Sequence, residues 1–159
     1  MRGETEKGVR GARAWEGSGS RWKGARQASR FPHIARVSGD LKDLVAWREA
    51  AELARQALLA AKRLNGVGAS AAADQIARAC ESIPANVAEA YGRGLGKDGA
   101  RFLRVARGSA TELESHLWVA ERTGRLPQPL ALSLMDQTRR VRALIRGLLL
   151  SSSARTARD

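Results

Sequence analysis

Apolar residues recur at alternating intervals of three and four along most of this chain, from about residue 41 to about residue 150. That spacing keeps side chains on one face of an α-helix. Breaks in the rhythm divide it into separate stretches. The pattern therefore predicts four amphipathic helices, over residues 41–64, 71–91, 98–123 and 129–150.

The first predicted helix has two neighbouring apolar stripes rather than one. One stripe contains Leu44, Trp47, Ala51, Ala54, Leu58 and Ala61; the other contains Ala46, Ala50, Leu53, Ala57, Ala60 and Leu64. So wide an apolar face predicts contact with more than one neighbour. Asp40 occupies the position of an N-cap, and Gly66 that of a terminator.

The second helix contains a proline inside an unbroken apolar rhythm. Pro84 lacks an N–H and its ring clashes with the carbonyl four residues back, at Cys80. The apolar positions nevertheless continue on both sides of it, at Ala73, Ile76, Cys80, Ile83, Val87 and Ala90. We predict one helix that bends near 80–84 while its apolar face continues to Val87.

The last two helices have clear ends. Gly124 is placed as a C-terminal stop, and Pro129 suits a first helical position. Long helices joined by short loops predict an all-α, antiparallel up-down-up-down four-helix bundle over residues 40–150. Its predicted core is Leu44, Leu58, Ile76, Ile83, Val87, Leu103, Leu113, Leu117, Leu134, Val141 and Ile145.

Composition indicates one soluble domain with a basic extension. The chain has 159 residues and 4% aromatics, and no apolar run reaches the ~18–20 residues of a membrane span. A single cysteine and the lack of a secretory signal fit the cytoplasm. Residues 1–39 are rich in Gly and Arg and are predicted to be a disordered tail, and residues 151–159 a frayed end.

The net charge of +12 and a pI near 11.4 favour a polyanionic partner such as RNA or DNA, although Arg-rich codon usage would give the same balance. Two basic stripes are the candidate binding residues: Arg93, Lys97, Arg101, Arg104 and Arg107, followed by Arg139, Arg142 and Arg146. The first stripe precedes the acids of its helix, an order that the helix dipole does not favour. Three explanations of the basic stripes remain open: a solvated face, a charge pairing between subunits, or an anionic ligand.

Catalytic and metal-binding patterns are nearly absent from the sequence. His33 and His116 have no second histidine at metal spacing, and one cysteine does not complete a zinc site. Glu112 and Glu114 point to different sides of a helix, so they are poor candidates for a carboxylate pair. We predict no enzyme activity, no cofactor, no metal and no small-molecule substrate.

Three ordered motifs resemble a known family. They are Asp43-Leu-Val-Ala-Trp47, Ser82-Ile-Pro-Ala-Asn-Val-Ala-Glu-Ala-Tyr-Gly92 and Arg101-Phe-Leu-Arg-Val-Ala-Arg-Gly-Ser109. Together they look like the four-helix bundles encoded by intervening sequences of bacterial 23S ribosomal RNA genes. The motif positions expected to be structural are Trp47, Ser82, Pro84, Asn86, Glu89, Tyr91 and Gly92. Ala90 departs from the pattern, which has Gly there.

The resemblance implies an antiparallel bundle, often a homopentamer, without established enzymatic activity. Related bundles are basic accessory proteins of diversity-generating retroelements, where they bind a reverse transcriptase and nucleic acid. The sequence therefore favours a non-catalytic oligomeric scaffold that binds RNA or DNA. The alternative is a protein–protein interaction module whose basicity is incidental. A salt-dependent affinity for RNA distinguishes the two.

Overall fold

A computed structural model describes residues 39–156, with side chains described through Ser153. Four α-helices account for most of this range, and it contains no β-strand: α1 (Val45–Ala61), α2 (Ala69–Gly92), α3 (Lys97–Arg122) and α4 (Gln128–Thr156). The all-α class predicted from the pattern is confirmed. Apart from its last residue, Gly39, the predicted disordered tail lies outside the described residues.

The first helix begins later and ends earlier than the predicted range 41–64. The Asp40 carboxylate accepts from the backbone N–H of Lys42, so it caps a 3-10 turn over Leu41–Asp43 instead of α1. Leu44 is then extended, and α1 starts at Val45. At the other end the helix stops at Ala61, five residues before Gly66, whose φ of 88° belongs to the following loop.

The second helix continues through Pro84 as a single helix. Ile83 and Val87, on either side of the proline, are both completely buried, so the apolar face continues as predicted. The amide of Asn86 donates to the carbonyl of Ser82 at 2.8 Å and to its hydroxyl at 3.1 Å. A bend of the helix axis at 80–84 stays a prediction.

The core lies between the four helices and is almost entirely aliphatic. Nine of the eleven predicted core residues are buried; the exceptions are Leu44 and Leu58, which are only half-buried at its edge. Of the two stripes on α1, the one with Leu53 faces the core. Alanines supply the rest of the buried α1 surface, which lets the neighbouring helices approach closely.

Polar contacts join neighbouring parts of the bundle at the middle of the helices and in the loops. Ser82 lies 2.8 Å from Ser109 between the two hydroxyl oxygens, so the middle of α2 meets the middle of α3. The Arg125 guanidinium donates to the carbonyl of Val67 at 2.7 Å, which joins the loop after α1 to the loop after α3. At the opposite end, the Tyr91 hydroxyl donates to the carbonyl of Gly39 at 2.6 Å.

The fourth helix is longer than the range 129–150 that the pattern predicts. It begins at Gln128, one residue before Pro129, and continues to Thr156. Ser152 is buried and donates to the carbonyl of Gly96, immediately before α3. This contact gives the last turns of α4 a tertiary partner, where sequence alone predicts fraying. Gly124 ends α3 as predicted, with a φ of 68°.

Candidate nucleic-acid interface

The first basic stripe lines an open cavity of about 720 Å³ at the start of α3. Four cations border it, together with one carboxylate, Asp98, and the last turns of α4: Arg93, Lys97, Arg101 and Arg104. Arg93 is already engaged, because its Nη2 lies 2.6 Å from Glu89 and its guanidinium lies 4.7 Å from the centre of the Phe102 ring. The cavity is therefore cationic with one aromatic wall.

The second basic stripe faces a cavity of about 500 Å³ between α3 and α4. It is bordered by Arg107 from α3 and by Arg139, Arg142 and Arg146 from α4. Glu114 holds two of these: its carboxylate oxygens lie 2.8 Å from Arg139 and 2.7 Å from Arg142. The acids in the second half of α3 thus include an intramolecular partner for the α4 stripe.

A third cavity of about 300 Å³ continues along the same pair of helices. Trp118, Met135 and Thr111 line it, and it shares Arg139 with the second cavity. The first and second cavities lie on the same face of α3, because Arg104 lines the first and Arg107, three residues later, lines the second. We call this surface, from Trp118 to Lys97, the α3–α4 groove.

The structure brings all eight candidate basic residues to this groove, but it divides them into two groups. Arg93, Arg139 and Arg142 have carboxylate partners within 3 Å. The other five have no ion pair with any described residue: Lys97, Arg101, Arg104, Arg107 and Arg146. Their charge is therefore available to an external anion.

Six of the seven structural motif residues lie on α2, and the seventh, Trp47, lies on α1. Trp47 packs half-buried against the core, and Asn86 links to Ser82 within α2. Tyr91 anchors the backbone at Gly39, and Glu89 pairs with Arg93. Gly92 is the last residue of α2. Of these, only Glu89 is paired with a groove residue.

Cys80, Glu52 and His116 lie outside the groove, and each is either buried or close to a neighbouring side chain. Burial, together with the nearby charge of Glu81, raises the pKa of the Cys80 thiol to about 11. Hydrogen bonds from Arg55 and Gln56 lower the pKa of the Glu52 carboxyl to about 2. His116 lies 3.7 Å from Glu112 on the surface of α3. No group of three metal-ligating side chains occurs among residues 39–153.

Sequence reasoning missed three residues of the groove. Trp118 falls outside the apolar stripe of α3, and this aromatic residue on a polar face was a usable signal. Phe102 also falls outside the apolar stripe, directly before the core residue Leu103. Glu114 gave no signal, since its partners lie 25 and 28 residues away and depend on how α3 and α4 are rotated.

The chain is an all-α, four-helix protein, and the α3–α4 groove is lined mainly by basic residues. The chain belongs to the family of 23S rRNA-intervening sequence proteins, whose sequence profile matches residues 42–147. The resemblance carried by the three motifs is thereby confirmed.

A solved structure supports the same fold. It is a protein of unknown function from the S23 ribosomal protein family of Bacteroides thetaiotaomicron, with a TM-score of 0.59 and 22% sequence identity. The similarity covers 66% of this chain and 98% of that one. No curated protein matches the chain. None of the helices between residues 39 and 156 combines the length and apolarity needed to cross a membrane.

Proposed function

We propose that the protein is a non-catalytic scaffold that binds RNA or DNA through the α3–α4 groove. One observation carries this proposal: five cations line the groove without a carboxylate partner among the described residues. They are Lys97, Arg101, Arg104, Arg107 and Arg146. A cation that is not neutralised within the fold can neutralise a phosphate, and the counterions released by the nucleic acid then favour binding.

The proposed scaffold is a homo-oligomer built from antiparallel up-down-up-down bundles, and the family resemblance suggests a pentamer. Leu44, immediately before α1, and Trp47 and Leu58 on α1 support subunit contact, because these half-buried side chains leave apolar area exposed at the edge of the core. Each subunit of a ring would present one groove. Repetition strengthens weak individual contacts, since binding at one groove raises the effective concentration at the next.

A charge-matched pair of variants tests the groove in the full chain. The groove variant replaces Lys97, Arg101, Arg104, Arg107 and Arg146 with Gln. The control variant replaces Lys42, Arg48, Lys62, Arg63 and Arg78 with Gln; these exposed cations lie outside the groove. Both variants lose the same net charge and keep the basic tail. Affinity for a 20-nucleotide RNA is measured by filter binding from 50 to 300 mM salt.

We expect the groove variant to bind more weakly and with a flatter dependence of log K on log salt. Each lost phosphate contact lowers that slope by about 0.7 to 0.9. The control variant should keep most of the slope. Equal losses in both variants would contradict the proposal, because they would show that only the total charge matters.

The second candidate is an interaction module for another protein. Its support is the exposure of Trp118 at 51% and of Leu132 at 52%, both large apolar side chains on α3 and α4. Wild-type protein that shows no RNA affinity at 50 mM salt would favour this function.

A further inference from the structure

Trp118 occupies an unusual position for a large aromatic side chain. It lies at one end of the α3–α4 groove, where it lines the same cavity as Met135 and Arg139. Half of its surface is exposed, although burial of an indole would stabilise the fold. Beyond it along α3, toward the helix start, come the cations Arg107, Arg104 and Lys97.

An aromatic face beside a track of cations is the arrangement by which proteins hold single-stranded nucleic acid. The cations follow the phosphates, while an unpaired base stacks on the ring. A duplex does not offer an unpaired base, because its bases already stack on one another within the helix. A site that combines an exposed aromatic ring with cations therefore favours the single-stranded form.

We propose that the α3–α4 groove takes single-stranded RNA or DNA, with one base stacked on Trp118. This inference rests on the proposed function and specifies its ligand. RNA and DNA share the chemistry that the groove recognises, namely phosphates and an unpaired base.

The length of the groove sets the size of the ligand. Trp118 and Lys97 lie 21 residues apart on α3, which is about 31 Å at 1.5 Å per residue. A stacked strand rises about 3.4 Å per nucleotide, so the groove spans about nine stacked nucleotides, or fewer if the strand is extended. Affinity should therefore rise with oligonucleotide length and level off near this number for a single groove.

Arg122 adds a second feature to the stacking position. Its guanidinium lies 5.4 Å from the centre of the Trp118 ring, a cation–π contact one turn further along α3. Because this guanidinium lies over one face of the indole, the base would stack on the opposite face. The platform at Trp118 is thus not purely apolar.

The test compares Trp118→Leu with Trp118→Phe in the full chain. Leucine keeps apolar bulk but removes the aromatic face, whereas phenylalanine keeps the face. Val119→Ala is the matched control, because Val119 is the next residue on α3, is similarly exposed and lines none of the three cavities. Filter binding is measured with a nine-nucleotide RNA, the same DNA sequence, and a duplex of equal length.

We expect Trp118→Leu to weaken single-strand binding about 5- to 150-fold, the effect of losing one stacked base, and Trp118→Phe to weaken it less. Duplex affinity should be unchanged in both. The salt slope should also be unchanged, because stacking releases no counterions. Val119→Ala should bind like the wild type. Parallel losses for RNA and DNA would show that the site does not read the sugar.

Two results would overturn the inference while leaving the basic groove in place. One is equal loss of single-strand and duplex affinity in Trp118→Leu. The other is dissociation of an oligomer by Trp118→Leu, seen by light scattering, with unchanged affinity; the indole would then be a subunit contact. A failure of the proposed function itself would be distinguishable from these two results. In that case the five-cation groove variant and its control variant would lose RNA affinity equally.

Discussion

The carbonyl oxygen of Ala90 lies only 2.8 Å from the position that a Cβ atom on Gly99 would occupy. Ala90 belongs to the last turns of α2 and Gly99 to the first turn of α3. The backbone of α2 therefore packs directly against the backbone of α3 here. The same carbonyl accepts from the N–H of Leu95 at 3.0 Å, which fixes its position. Gly99 therefore sets how closely α2 and α3 approach.

Replacing Gly99 with Ala should destabilise the protein by about 1–3 kcal/mol, the typical cost of overpacking. The neighbour is backbone and cannot rotate away as a side chain could. The matched control is Gly108→Ala in the same helix, where a Cβ meets nothing within 4 Å. That change should stabilise the protein by about 0.5–1 kcal/mol. Thermal unfolding followed by circular dichroism at 222 nm measures both; a stabilised Gly99→Ala would contradict the close approach.

Replacing Pro84 with Ala should leave the fold intact and the melting temperature unchanged or higher. The alanine restores an N–H that can donate to the carbonyl of Cys80, and it removes the ring clash. The opposing effect is the greater freedom of the unfolded chain, about 0.4–1 kcal/mol. The same thermal unfolding experiment applies. A lower melting temperature would mean that the packing around α2 requires the proline.

Glu114→Gln should increase affinity for single-stranded RNA. It frees Arg139 and Arg142, which the carboxylate now holds at 2.8 and 2.7 Å, and adds two available cations to the groove. Each additional phosphate contact steepens the salt dependence by about 0.7. Glu112→Gln is the control, since Glu112 lies beside His116 and not beside α4. Filter binding at several salt concentrations distinguishes them, and equal gains would point to net charge alone.

Cys80 should react with thiol reagents at pH 8 only as fast as the protein opens. With a pKa of about 11, roughly one thiol in a thousand is ionised at that pH, and the side chain is completely buried.

The raised pKa of Cys80 also affects the stability of the protein at high pH. Above its usual value near 9 the unfolded chain loses this proton while the folded chain keeps it, so the free energy of unfolding falls between about pH 9 and 11. Cys80→Ala should lack that component of the fall, as urea titrations at each pH would show.

Much of the bundle is predictable because three helices each carry a single apolar stripe. Ile83, Leu103 and Leu134 follow the rhythm of three and four, and all are completely buried. On α1 the rhythm is ambiguous, since its two stripes are similarly apolar and only packing selects the one with Leu53. The sequence also does not show that Asp40 caps a short turn before the helix, because the same residue suits either start.

The groove is predictable in its cations but not in which of them are free. The spacing of Arg104 and Arg107, or of Arg139 and Arg142, places each pair on one helical face. Whether a face meets solvent or a carboxylate depends on the rotation of α4 against α3, as the pairing of Glu114 with Arg139 shows. Such a contact joins distant parts of the chain, and local pattern does not report it.

The aliphatic core has a consequence for how unfolding can be observed. No aromatic side chain is among the buried residues of the described range, and Trp47 and Trp118 both lie at the surface or at the core edge. Near-ultraviolet circular dichroism reports the fixed packing of aromatic rings. In this bundle that signal would come from Trp47, Tyr91 and Phe102 at the edge of the core, so it would report loosening of the aliphatic interior only indirectly. Amide hydrogen exchange at α2 and α3 is the measurement that would detect it.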